Sequence, residues 1–129
     1  MLPDVALVTG SGDATATSKF LGKRMAFAVV SPSCGGCAKF LEHLHHGGPD
    51  PFDEHLRDFA IVSLGSVEQT APLLEKAKLP ANGQAVVLFD SNAEIMRKWG
   101  ITTTPGMVIV DEDMRVIRQL FGGKELMEL

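Results

Sequence analysis

Residues 25–30 read MAFAVV, and the chain turns polar at Ser31, just ahead of a cysteine. An unbroken apolar run of this length fits a strand covered on both faces. The residues that follow change the period. Cys37, Phe40, Leu41 and Leu44 fall at i, i+3, i+4 and i+7, the apolar stripe of a helix. A doubly covered strand feeding straight into an amphipathic helix demands a layered architecture, with helices packed over a sheet.

The rest of the chain repeats the alternation. HHGGPDP closes the first helix with glycines and prolines. DFAIVSL, 58–64, is a second buried strand, and AVVLF, 85–89, a third. Between them Ser66 and Gln69 form a capping-box pattern, which predicts a helix from there to about Lys78. Ser91 and Glu94 form another, opening a short helix through Ile95, Met96 and Trp99 that stops at Gly100. GMVIV and RVIRQLF, joined by Asp111, Glu112 and Asp113, read as a hairpin, and GGKELMEL as a final short helix. The first 24 residues read as short extended pieces, with a turn at Gly22 and Lys23. The order β-α-β-α-β-α-β-β-α predicts an α/β sheet, parallel in its middle, with an antiparallel hairpin at one side.

The chain's 129 residues fit one domain, 1–129, and suffice for a core that needs no metal or disulfide. Its formal net charge of −4, with no basic stripe, argues against nucleic acid or an anionic membrane as partner. No apolar run approaches the ~18 residues of a membrane span. The opening MLPDVALVTG lacks the basic and apolar regions of a signal peptide. The expectation is a cytosolic protein, or one whose leader or anchor is missing from this chain.

The two cysteines of the chain, Cys34 and Cys37, are separated only by Gly35 and Gly36. So short a loop cannot staple distant parts together. Their position at a strand-to-helix junction points to chemistry. A helix N-terminus presents unpaired N–H groups and the positive end of its dipole, and both favour a thiolate. Cys34 should therefore be the attacker, with a lowered pKa, and Cys37, on the apolar stripe, the sheltered resolver. A zinc site would need further cysteines or a Cys/His pair, and there is no other cysteine. His43, His45 and His46 lie two to three helical turns from Cys34 and read as solvated helix-end residues. No metal site is expected.

A Cys-x-x-Cys at a strand-to-helix junction, followed by Thr104-Pro105 before a hairpin, resembles the thioredoxin superfamily. The helix and strand of residues 66–90, together with the early Pro-Asp and the Gly-Lys ahead of the first central strand, narrow the resemblance to the redoxin branch. That branch includes membrane-anchored thiol–disulfide oxidoreductases of cytochrome c maturation and methylamine dehydrogenase maturation proteins. Ser31-Pro32-Ser33-Cys34 is most similar to the latter.

The resemblance implies a thioredoxin-like α/β fold. Its central mixed sheet is flanked by helices, with an N-terminal extension and an inserted helix–strand unit before a cis-proline. It implies a thiol–disulfide oxidoreductase acting through Cys34 and Cys37 on protein thiols and disulfides, with no cofactor. Pro105 would be cis, packed against the cysteine pair, and Thr104, Pro105 and Ser33 would contact substrate. It also implies a monomer in the periplasm or another extracytoplasmic site, reaching a membrane only through a missing anchor. Three departures argue against a general cytosolic thioredoxin: Ser33 stands where thioredoxins have Trp, Ala28 where they have a buried acid, and two glycines fill the motif.

Two rival activities belong to the same fold. A thiol peroxidase would need a proline and a threonine before its reactive cysteine, where this chain has Phe27 and Ser31. A copper-binding metallochaperone would join Cys34 and Cys37 to a histidine, and no isolated histidine lies near Pro105.

Overall fold

In the computed structural model the chain runs β1 (Ala6–Thr9), β2 (Ala14–Ala16), a 3-10 helix (Thr17–Phe20), β3 (Met25–Val30) and α1 (Cys37–His45). It continues through β4 (Phe59–Ser63), α2 (Val67–Lys76), β5 (Val86–Phe89), α3 (Glu94–Trp99), β6 (Gly106–Val110) and β7 (Val116–Phe121). The structure describes residues 2–22, 24–45, 59–76, 86–90 and 92–121. The expected C-terminal helix lies outside them, as do His46, Ser91 and the turn residue Lys23.

The strands form one mixed sheet in the order β2-β1-β5-β4-β3-β6-β7. β3, β4 and β5 are parallel, and β6 and β7 form the expected antiparallel hairpin against β3. The N-terminal pieces are more regular than their sequence suggests: β1 and β2 form a hairpin, and β1 adds antiparallel to β5.

β3 runs through the middle and is buried at every residue. Its side chains alternate between two cores. Met25, Phe27 and Val29 face one, shared with Trp99 and Ile95 of α3. Phe27 meets Trp99 and Phe20 edge to face, with centroids 5.1 and 5.6 Å apart. Trp99 Nε1 donates to the carbonyl of Pro3 at 2.8 Å, tying the N-terminal segment to α3. Ala26, Ala28 and Val30 face the other core, with Cys37, Phe40 and Leu41 of α1 and Leu73 of α2. Small residues at 26 and 28 let α1 lie close to the sheet.

The helix ends show their causes. The Ser66–Gln69 capping box forms: Ser66 N–H donates to Gln69 Oε1 at 3.0 Å, and Gln69 N–H to Ser66 Oγ at 3.1 Å. At α3 the N-cap position is Ala93, in the left-handed region, with no side-chain cap of its own. The buried Asp90 accepts from Ile95 N–H instead, at 2.8 Å. Gly100 closes α3 at φ 70°, a conformation that costs residues with a Cβ.

Candidate active site

The site forms where β3 ends. Leu64 N–H, just past β4, donates to the carbonyl of Val30 at 2.9 Å, holding the two strand ends level. Ser31 to Gly36 then make a tight connection. Cys34 N–H donates to Ser31 O at 3.0 Å, and Ser31 Oγ lies 3.0 Å from Ser33 Oγ. The first helical bond runs from Phe40 N–H to Gly36 O at 3.1 Å. The helix thus begins at Cys37, and Cys34 stands one turn ahead of it. Gly35 and Gly36 lie in that turn, outside the left-handed region and with open space where a Cβ would stand.

Cys34 and Cys37 are joined in a disulfide. The bond holds both sulfurs at the N-terminal end of α1, the electropositive end. Their surroundings differ. Cys37 is fully buried in the core of Phe40, Leu41 and Ile61, whereas Cys34 is partly exposed.

Cys34 opens onto a cleft of about 220 Å³. Pro32, Ser33, Cys34, Gly35 and Ala38 form one wall, and Gln69, Pro72, Leu73 and Lys76 of α2 form the other. The loop after β4 is pressed against the first wall: a Cβ on Gly65 would stand 2.5 Å from Pro32 Cγ. Behind it, Ser63 Oγ and Thr70 Oγ1 are paired at 2.7 Å, and Thr70 Oγ1 donates to Ser66 O at 2.7 Å. These buried hydroxyls fix α2 to the end of β4, and so fix the width of the cleft.

Ser33 is exposed and lines the cleft. Thr104 and Pro105 lie elsewhere on the same sheet end. The β3–β6 register pairs Val29 with Gly106, and continuing it by one residue places Pro105 beside Val30. The Thr104–Pro105 bond is cis; Pro105 is buried, Thr104 is half-buried, and neither lines the cleft. Phe27 is core. Among the described residues, no three His, Cys, Asp or Glu side chains converge as metal ligands. No described helix is long and apolar enough to cross a membrane.

Residues 1–125 match the model of the Redoxin family. The chain belongs to that family. No curated protein sequence matches this redoxin. Its fold is shared with the thioredoxin domain of a thiol–disulfide oxidoreductase from Bacteroides vulgatus, at a TM-score of 0.72 and 18% identity, covering 98% of this chain and 90% of that one. A Chlorobium tepidum protein assigned as the thiol:disulfide interchange protein DsbE superposes at a TM-score of 0.71 and 22% identity, covering 94% and 82%. The exposed lipoprotein thioredoxin Etrx1 of Streptococcus pneumoniae superposes at 0.68 and 16%, covering 98% and 100%. At such identities these structures establish the thioredoxin-like fold. Membership makes this redoxin an oxidoreductase, and its two cysteines are joined in the Cys34–Cys37 disulfide.

Of the residues lining the cleft, sequence reasoning named Cys34 and Ser33 and did not name the α2 wall. Gln69, Pro72, Leu73 and Lys76 fall at i, i+3, i+4 and i+7, one face of the helix that the capping box announces. The face mixes polar and apolar groups, so a search for apolar stripes passes over it.

Proposed function

We propose that this redoxin exchanges electrons with protein disulfides through Cys34 and Cys37. The observation that carries the reading is the asymmetry of the pair: one sulfur borders an open cleft, and the other is sealed in the core.

In the reduced protein the Cys34 thiolate attacks a substrate disulfide. A bond forms between Cys34 Sγ and one substrate sulfur, and the other substrate sulfur leaves as a thiolate. Cys37, as thiolate, then attacks Cys34 Sγ. The mixed disulfide breaks, the Cys34–Cys37 bond forms, and the second substrate thiolate departs. Two electrons pass to the substrate, and its thiolates take protons from solvent. An external dithiol returns the pair to the reduced state; run backwards, the same steps oxidise a substrate dithiol.

Ser33, Thr104 and Pro105 would border the bound polypeptide at the sheet end. We also propose that residues 1–129 act as one monomeric domain outside the cytoplasm, where disulfides persist. The Streptococcus pneumoniae relative, described as an exposed lipoprotein, supports that placement. Neither the peroxidase nor the copper reading gains an observation from the site.

The test is covalent trapping. Cys37→Ser should accumulate a mixed disulfide with a protein substrate, and Cys34→Ser should form none. In the reduced wild type Cys34 should be alkylated first, below the pH at which an ordinary thiol of pKa ~8.5 reacts. Faster labelling of Cys37, or exchange surviving Cys34→Ser, would overturn the assignment.

A further inference from the structure

We propose that Lys76 selects the substrate, and that the cleft beside Cys34 takes a polypeptide disulfide carrying an acidic side chain on its α2 side. This rests on the exchange reading above. Among the described residues that line the cleft, Lys76 alone is charged at neutral pH. It is exposed and makes no hydrogen bond or ion pair among the described residues.

Gln69, at the other end of the same helix face, has its amide oxygen occupied by Ser66 N–H, which leaves its NH₂ group as a donor. Pro72 and Leu73 lie between them, apolar. The wall therefore offers donor, apolar surface and cation in that order, over roughly 10 Å of helix at ~1.5 Å per residue. It offers no anion. The opposite wall adds only the Ser33 hydroxyl, the sulfur of Cys34 and small or apolar groups. A carboxylate is the one side-chain charge this arrangement attracts.

The rest of the molecule works against that attraction. A net charge of −4 repels acidic polypeptides at long range. A preference for acidic substrates must therefore come from Lys76 at close range, and removing its charge should do more than abolish the preference. It should leave acidic substrates at a disadvantage.

The experiment uses three synthetic peptides of one scaffold, each carrying a cysteine in disulfide linkage to 2-mercaptoethanol. They differ at a single neighbouring position, Glu, Gln or Lys. Second-order rates of exchange with the reduced full chain are measured at low salt and at 0.5 M salt, where screening acts within ~4–5 Å. The wild type should favour the Glu peptide over the Gln peptide by about 2- to 5-fold, the range of an exposed ion pair, and the advantage should shrink at high salt. Lys76→Gln should bring the ratio below one at low salt. Lys76→Glu should reverse the order, so that the Lys peptide reacts fastest. Lys19→Gln, on the N-terminal 3-10 helix, makes the same change in net charge and should keep the wild-type ratio. Circular dichroism verifies that the variants fold, and the salt dependence of the wild type tests the proposal without any variant. Exchange with all three peptides at one rate, or an order that survives Lys76→Glu, overturns this proposal alone. No exchange with any peptide overturns the exchange reading and this proposal with it.

Discussion

Gly65→Ala would test whether the loop after β4 sets the geometry of the cysteine loop. A Cβ there would stand 2.5 Å from Pro32 Cγ, 3.0 Å from Pro32 Cδ and 3.0 Å from Gln69 Oε1. Gln69 can swing away, at the expense of its capping bond to Ser66. The proline ring cannot, because it is part of the backbone that leads to Cys34. The cost is that of overpacking, about 1–3 kcal/mol. For a domain of this length that lowers the melting temperature by roughly 3–10 °C. Calorimetry of the oxidised protein measures it. Gly35→Ala is the control: nothing lies within 4 Å of its added Cβ, so stability should stay within about 0.5 kcal/mol. Pro32→Ala removes the clashing ring atoms, and in that background Gly65→Ala should lose most of its effect, a coupling measurable in a double-mutant cycle. Equal costs in both backgrounds would refute the contact.

Other perturbations follow from single features. Gly100→Ala should destabilise by about 1 kcal/mol in chemical denaturation, from the left-handed backbone alone, and Gly100→Asn by less. Asp90→Ala should cost about 0.5–2 kcal/mol by uncapping Ile95 N–H, with Asp90→Asn recovering part of it. The Ser18 N–H, with smaller help from the Thr17 and Ser18 hydroxyls and Val5 N–H, holds the Asp4 carboxyl below its ordinary 3.8 despite partial burial. The Arg115 N–H chiefly does the same for Asp111. Both groups bind protons more tightly when unfolded, so their stabilisation is complete above pH 3.8 and is lost as pH falls through the lower folded values. Acid titration by circular dichroism should show Asp4→Asn weakening the fold at pH 6 and flattening its pH dependence between 4 and 2.

What the sequence revealed depended on how local the cause was. β3 and the stripe of α1 were legible because burial on two faces, and on one helical face, leaves periods of its own. The Ser66–Gln69 box was legible because both of its bonds lie within four residues. The second box falls on Ser91, which lies outside the described residues. Around it the chain reaches α3 through Ala93 in a left-handed conformation, and Asp90 supplies an acceptor to Ile95 N–H. Spacing alone does not reveal that turn. The β1–β2 hairpin escaped notice because its strands are short and its pattern half-exposed. The α2 wall of the cleft escaped because its face mixes polar and apolar groups, and its place beside Cys34 depends on contacts distant in sequence, the Ser63–Thr70 hydroxyl pair and the approach of Gly65 to Pro32.

The two faces of β3 bear on the chemistry in a way the cysteine motif alone does not. Thioredoxins place a buried acid where this chain has Ala28, and Ala28 packs in the same core as Cys37. β3 gives that core Ala26, Ala28 and Val30, none of which can carry a proton. The small side chains close α1 onto the sheet and seal Cys37 from solvent. Ala28 thus helps shelter Cys37 and leaves this face of β3 with no group that could exchange a proton with it. On the exchange reading proposed above, protons would reach the pair from the side of Cys34, which lines the cleft, because Cys37 is fully buried.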